Sequence, residues 1–191
     1  MSKTRLEAFS DGVLAIIITI MVLELRVPHG SDLAALAPLA GVFVSYTLSF
    51  VLLGIYWNNH HHLLQAAHHV TAGVMWSNLH LLFWLSLVPF ATGWMGENEF
   101  AALPVALYGF IQIMAGFAYS ILARRLVASH GRDSTIGKAI GADIKGTVSL
   151  VIYAVAVPLS FVSTAVAFAL YVAVAIIWLV PDRRIERALK G

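Results

Sequence analysis

The sequence predicts an all-α, polytopic membrane protein of six transmembrane helices, and three observations carry that prediction. Of 191 residues, 60% are hydrophobic and only 12% are charged, where a soluble domain carries about 25% charged residues. Mean hydropathy is +0.84. Several uncharged runs are long enough to cross about 30 Å of hydrocarbon as a helix of about 20 residues. The 12 basic and 10 acidic side chains are too few to clothe a soluble globule of this size. No stretch between apolar runs is long enough for a folded soluble domain, so residues 1–191 read as one membrane domain.

The first span, 5–28, has a short apolar core from Gly12 to Leu23. A signal peptide is the competing reading, because Lys3 and Arg5 precede the core and Ala35-Leu36-Ala37 follows it. Glu7 and Asp11 lie in the wrong region for one, and Pro38 makes a poor cleavage context. The second span, 33–58, is uncharged from Leu33 to Trp57 and tolerates Pro38 in its first turns. The third, 70–95, contains Pro89, which can kink a membrane helix without ending it. The fourth is 100–124. The uncharged run Gly146 to Pro181 would make a helix of roughly 54 Å, too long for one crossing. It divides at Pro158 and the Leu-Ser-Phe-Val-Ser that follows, giving spans 138–158 and 162–181.

The positive-inside rule supports this division. With six spans and both termini cytoplasmic, Lys3, Arg5, Arg124, Arg125, Arg132, Lys138, Lys145, Arg183, Arg184, Arg187 and Lys190 all lie inside, and only Arg26 lies outside. Five spans would leave the basic tail DRRIERALK external. The expected location is the cell membrane, with the lipid bilayer as the surrounding partner.

Composition also excludes functions. The absence of cysteine rules out disulfide scaffolds, thiolate metal sites and cysteine nucleophiles. No GxxxxGK[ST] occurs, so no P-loop ATPase is encoded. No carboxylate–histidine set assembles a hydrolase centre, so no enzyme, no cofactor and no nucleic-acid partner is expected. Regularly spaced arginines of the kind that sense voltage are missing from every span.

Polar residues inside the spans are the candidates for function. An ionised side chain at mid-membrane costs about 2.5–3.5 kcal/mol on insertion scales, yet Arg5, Ser10, Asp11, Thr19 and Glu24 all fall in the first span. Arg5 and Glu24 lie near opposite ends and can snorkel to the headgroups. Asp11 lies two turns in and needs a partner, in a structural pair or in a functional network. Phe9, Gly12, Ile16, Thr19, Ile20, Leu23 and Val27 form one stripe at helical spacing, which periodicity alone reads as helix packing. Asn58, Asn59, His60, His61, His62, His68 and His69 crowd the end of the second span. Consecutive histidines point around a helix, which is poor metal geometry, so no metal site is expected and a partly charged interfacial patch is the plain reading. His80 sits inside the third span near Asn78 and needs a hydrogen-bond partner. Ser10 and Asp11 enter from the same side at similar depth and are the expected partners. Tyr56, Trp57 and Trp94 read as interfacial anchors.

The segment Arg5-Leu-Glu-Ala-Phe9-Ser10-Asp11-Gly12, running into Val-Leu-Ala-Ile16-Ile-Ile-Thr19-Ile20-Met-Val-Leu23-Glu-Leu, resembles the first-helix signature of the transmembrane protein 175 potassium channels in their prokaryotic six-helix form. The Trp-Asn-Asn-His-His end of the second span and the Asn78…Pro89-Phe90 helix resemble that family more loosely. The resemblance implies a homotetramer in which the first helix of each subunit lines a central pore. It implies passive conduction selective for potassium over sodium, with potassium as the permeating ion and without the TVGYG carbonyl filter of ordinary potassium channels. Carried across by motif position, Ile16 is the principal constriction, Ile20 and Leu23 are further rings toward the outside, and Thr19 adds a hydroxyl. Arg5, Phe9, Ser10 and Asp11 are then the network that supports the pore helix, with His80 or His60 as partners. The alternatives are a secondary transporter, which lacks support from any internal repeat or interrupted helix pair, and a proton pathway through Asp11 and the histidines.

Overall fold

The computed structural model describes residues 2–131, Ser134, Gly137 and 143–179, and every regular element among them is helical. In chain order these are α1 (Lys3–Leu23), a 3-10 segment (Leu33–Leu39), α2 (Ala40–Gln65), α3 (Ala72–Ser86), α4 (Val88–Glu97), α5 (Ala102–His130), α6 (Ile144–Leu159) and α7 (Thr164–Leu179). With α3 and α4 counted as one kinked rod, six helical rods result.

The boundaries have local causes. Ser2 starts α1, its hydroxyl accepting the Arg5 N–H as an N-cap does. This helix stops at Leu23 rather than the expected 28, ahead of charged Glu24 and Arg26 and of Pro28, which disfavours helix in the residue before it. Pro38 falls within the 3-10 segment, which Asp32 caps by accepting the Ala35 N–H at 3.1 Å. No glycine or proline interrupts Trp57 to Gln65, and α2 runs on past 58 to Gln65. Pro89 divides the third span. It lacks the N–H that α3 would need to continue, and it sits in the first turn of α4, where that N–H is dispensable. After Pro158 the chain turns through Ser160–Ser163 and enters α7. Residues 138–142 and 180–181 of the expected last two spans lie outside the described residues.

Among the described residues, four rods are long and apolar enough to cross a membrane: α1, the 3-10 segment with α2, α3 with α4, and α5. Helices α6 and α7 are apolar and 16 residues each, or about 24 Å.

Lipid is as apolar as a core, so helices in a bilayer associate through close packing and hydrogen bonds. Both are present here. Helix α5 packs against α3, α4, α6 and α7. Ser49 of α2 hydrogen-bonds Thr92 of α4 at 2.7 Å and Tyr108 of α5 at 3.0 Å, all three buried. Gly109 lets α7 approach α5 so closely that a Cβ there would overlap the Tyr171 hydroxyl and lie 2.8 Å from Val157 Cγ2. That same hydroxyl donates to the Val105 carbonyl at 3.0 Å. Gly109→Ala is therefore expected to displace Tyr171 and to cost about 1–3 kcal/mol as overpacking, read as a lower melting temperature of the purified protein in detergent. Gly54→Ala, where a Cβ meets nothing within 4 Å, should leave the melting temperature unchanged or slightly raised.

Candidate functional site

Helix α1 has two dissimilar faces. Leu6, Ser10, Leu14, Ile17 and Met21 recur at intervals of three and four and are buried against the rest of the subunit. Phe9, Ile16, Thr19, Ile20 and Leu23 point away from it, with Ile16 58% and Leu23 79% exposed. Ile18 is partly buried and packs against the core. The Thr19 hydroxyl donates to the Ile16 carbonyl at 3.0 Å, which leaves its lone pairs free on the outward stripe.

A buried polar chain fixes the inward face. The Asn78 amide donates to Ser10 Oγ at 2.9 Å, and Ser10 in turn donates to the Leu6 carbonyl at 2.8 Å. Asn78 Oδ1 lies 2.6 Å from His60 Nε2. A carbonyl oxygen can only accept, so this imidazole carries its proton on Nε2. Ser10, Asn78 and His60 are all buried, and they tie α1 to α3 and α2. The two ends of α1 are clamped as well. Lys3 donates to the Gln65 carbonyl at 2.9 Å and faces Glu7 at 3.7 Å. Arg26, just beyond the helix, pairs with Glu97 at 3.2 Å.

Asp11 is not paired with Arg5 or His80. Its Oδ1 accepts the indole N–H of Trp57 at 3.0 Å, and the Trp57 ring stacks on His61 with centroids 6.0 Å apart. His80 faces elsewhere: its Nε2 accepts from Trp84 Nε1 at 2.9 Å, on the side where Trp84 meets Phe110 of α5. The cause is helical phase, since Asn78 and His80 are two residues apart and cannot share a face. Arg5 is exposed, and no hydrogen bond or ion pair among the described residues joins it to Asp11. Of the two candidate histidine partners, His60 belongs to the chain that holds Ser10, through Asn78. His68 and His69 lie in the loop after α2, where their backbone N–H groups donate to His130 Nε2 at 3.0 and 3.3 Å. Among the described residues no cluster of His, Asp or Glu is placed to hold a metal.

Sequence reasoning passed over Asn78 as a site residue and took Trp57 for an anchor. Both carried a usable signal. A primary amide inside an apolar span must find partners, and an indole N–H near the end of a helix looks for an acceptor.

The family model of the endosomal/lysosomal potassium channel TMEM175 matches residues 5–89, the stretch that holds most of α1 and the buried Ser10–Asn78–His60 chain. A potassium channel of Chryseobacterium sp. (strain P1-3) is 52% identical over 190 residues, covering 100% of this chain and 99% of that one. The chain belongs to the TMEM175 family. It is accordingly a multi-pass integral membrane protein. A potassium channel of Streptomyces collinus is 31% identical over 126 residues, covering 62% of this chain and 61% of its own. The crystal structure of a lysosomal potassium-selective channel TMEM175 homolog from Chamaesiphon minutus matches the fold with a TM-score of 0.81 at 25% identity, over 94% of this chain and 97% of that one. Animal TMEM175 proteins, which match a shorter part of the chain, carry the name of endosomal/lysosomal proton channels.

Asn78→Leu removes both interhelical bonds of the anchor at once and leaves the His60 N–H buried without an acceptor, at a cost of about 1–3 kcal/mol. At roughly 2–4 °C per kcal/mol for a chain of this size, the melting temperature in detergent should fall by several degrees. Asp11→Asn keeps the Oδ1 acceptor that Trp57 uses, and should melt close to the parent protein. An Asn78→Leu protein that melts unchanged would remove the anchor from the account.

Proposed function

We propose that four copies of this chain form a passive, potassium-selective channel of the cell membrane, with both termini cytoplasmic and α1 of each subunit lining the pore. The observation that carries the reading is the outward apolar stripe of α1, which is left free while the opposite face and both ends of the helix are tied down. The names of the bacterial relatives support potassium as the permeating ion.

Four stripes around one axis make a stack of rings. At the Ile16 level the ring offers no oxygen ligand, so an ion passes only with the water it carries, and a narrow apolar ring of this kind gates by dewetting. The narrowness of the ring strips part of that water, and potassium holds its hydration shell less tightly than sodium, so the passage costs it less. Thr19, one turn further out, presents hydroxyl lone pairs, and Ile20 and Leu23 continue the apolar lining toward the outside. Ser10 and Asp11, on the flank of the pore helix, and His60, reached from Ser10 through Asn78, position that helix. Arg5 and Phe9 stand at the start of the stripe, near the inner mouth. No step of this function is catalytic. Proton conduction, suggested by the names of the animal relatives, would need Asp11 on the ion path, and Asp11 is engaged by Trp57 on the flank of the helix.

Cation flux through the purified protein in liposomes tests the reading. Ile16→Asn admits water and amide oxygens, and should raise potassium flux while weakening discrimination against sodium. Ile16→Phe should reduce flux and leave assembly intact. Ile18→Asn, on a different face, is the control. Altered selectivity in Ile18→Asn alongside parental behaviour in Ile16→Asn would place the pore elsewhere.

A further inference from the structure

His130 is the last residue of α5, and it meets the loop between α2 and α3 with both ring nitrogens engaged. The backbone N–H of His68 donates to His130 Nε2 at 3.0 Å, and that of His69 donates to the same atom at 3.3 Å. On the other side of the ring, Nδ1 lies 2.9 Å from the Leu126 carbonyl and 3.0 Å from Ser129 Oγ. A carbonyl oxygen can only accept, so Nδ1 carries the proton. Ser129 Oγ donates to that same carbonyl at 2.9 Å, which leaves its lone pairs to share the Nδ1 proton. Nε2 is therefore bare, and its one lone pair serves two backbone donors.

Only the neutral ring can do this. A proton arriving from solvent takes the Nε2 lone pair, turns the acceptor into a donor and sets it against two N–H groups. Both loop bonds are then lost, and the two amides turn to water. The N–H groups of His68 and His69 have no other acceptor among the described residues. The protonated ring keeps its Nδ1–H bond to Leu126 and stays on α5, whose carboxyl-terminal end accommodates a cation. The titratable groups facing His130 are His68 and His69 themselves, with ring centroids 6.0 and 4.2 Å away, the second stacked. On the neighbouring helices the charged groups are Arg125, whose guanidinium lies beside Gly73 of α3, and Lys3 of α1, which sits at Gln65 with Glu7 3.7 Å from it. Among the described residues no carboxylate lies within ion-pair distance of His130, so nothing in the loop replaces the bonds that the proton breaks.

We propose that His130 is a proton-operated latch, which holds the α2–α3 loop against the end of α5 when neutral and lets it go when protonated. The loop, residues 66–71, follows directly on Gln65, whose carbonyl takes the Lys3 ammonium at 2.9 Å. The latch thus bears on how firmly that end of α1 is held. Under the topology proposed above it faces the cytoplasm and reads its acidity. The release itself belongs to a single subunit and does not depend on the pore reading.

Amide hydrogen exchange on the full-length protein in detergent reads the latch, as protection factors that divide out the intrinsic pH dependence of exchange. The His68 and His69 amides should lose about tenfold in protection between about pH 8 and about pH 5, a step that spans the ordinary titration of imidazole and breaks backbone hydrogen bonds. His130→Phe keeps a ring against His69 without an acceptor, and should show the low protection at both pH values. His130→Gln offers a carbonyl oxygen that does not titrate, and should also lose the pH response. His68→Gln combined with His69→Gln retains both backbone donors and should keep the parental response. Protection in the parent that does not change with pH overturns the proposal. So does a pH response that survives in either His130 variant, or one that vanishes in the double variant. If the His130 variants do not fold, the parent and the double variant decide.

Discussion

Apolar side chains in a bilayer gain little by leaving lipid for a neighbouring helix, so the position of α1 depends on its polar edge. The buried chain from Ser10 through Asn78 to His60 supplies that edge, since each member left without its partners would be a bare polar group in an apolar span. Lys3 and Arg26 hold the two ends through Gln65 and Glu97. With one face and both ends fixed, the other face is relieved of any packing duty. It is there that Ile16, Thr19, Ile20 and Leu23 stand exposed.

The anchor and the proposed constriction are offset along the same helix. Ser10 and Ile16 are about 9 Å apart in axial rise, so a tilt of α1 about its anchor moves the isoleucine ring sideways. A narrow apolar ring is sensitive to such motion, because its wetting depends on a small change in width. In the proposed channel, stiffness at Ser10 would therefore bear on conduction at Ile16 without any contact between the two. Asp11 is held by Trp57 at the side of the helix.

Much of this was legible in the sequence, for physical reasons that differ from residue to residue. The helical rods followed from uncharged runs and from prolines, which act locally. Pro89 parts α3 from α4, and the turn after Pro158 parts α6 from α7. The outward stripe was visible as a period, although period alone could not say whether it faced the core, lipid or an axis. Partner choice was not legible. Asp11 and His80 lie at similar depth, but whether they meet depends on the rotation of α3, which turns Asn78 toward Ser10 and His80 toward Trp84.

The central claim is that the exposed stripe of α1 faces a water-filled axis. The chain contains no cysteine, so single cysteines along α1 report their surroundings directly. Ile16→Cys, Thr19→Cys and Leu23→Cys should react with a small water-soluble thiol reagent in liposome-embedded protein, and the reaction should block cation flux. Leu14→Cys and Ile17→Cys, on the buried face, should remain unmodified. Reaction at Leu14 and Ile17 with none at the stripe would contradict the account and turn the stripe toward lipid.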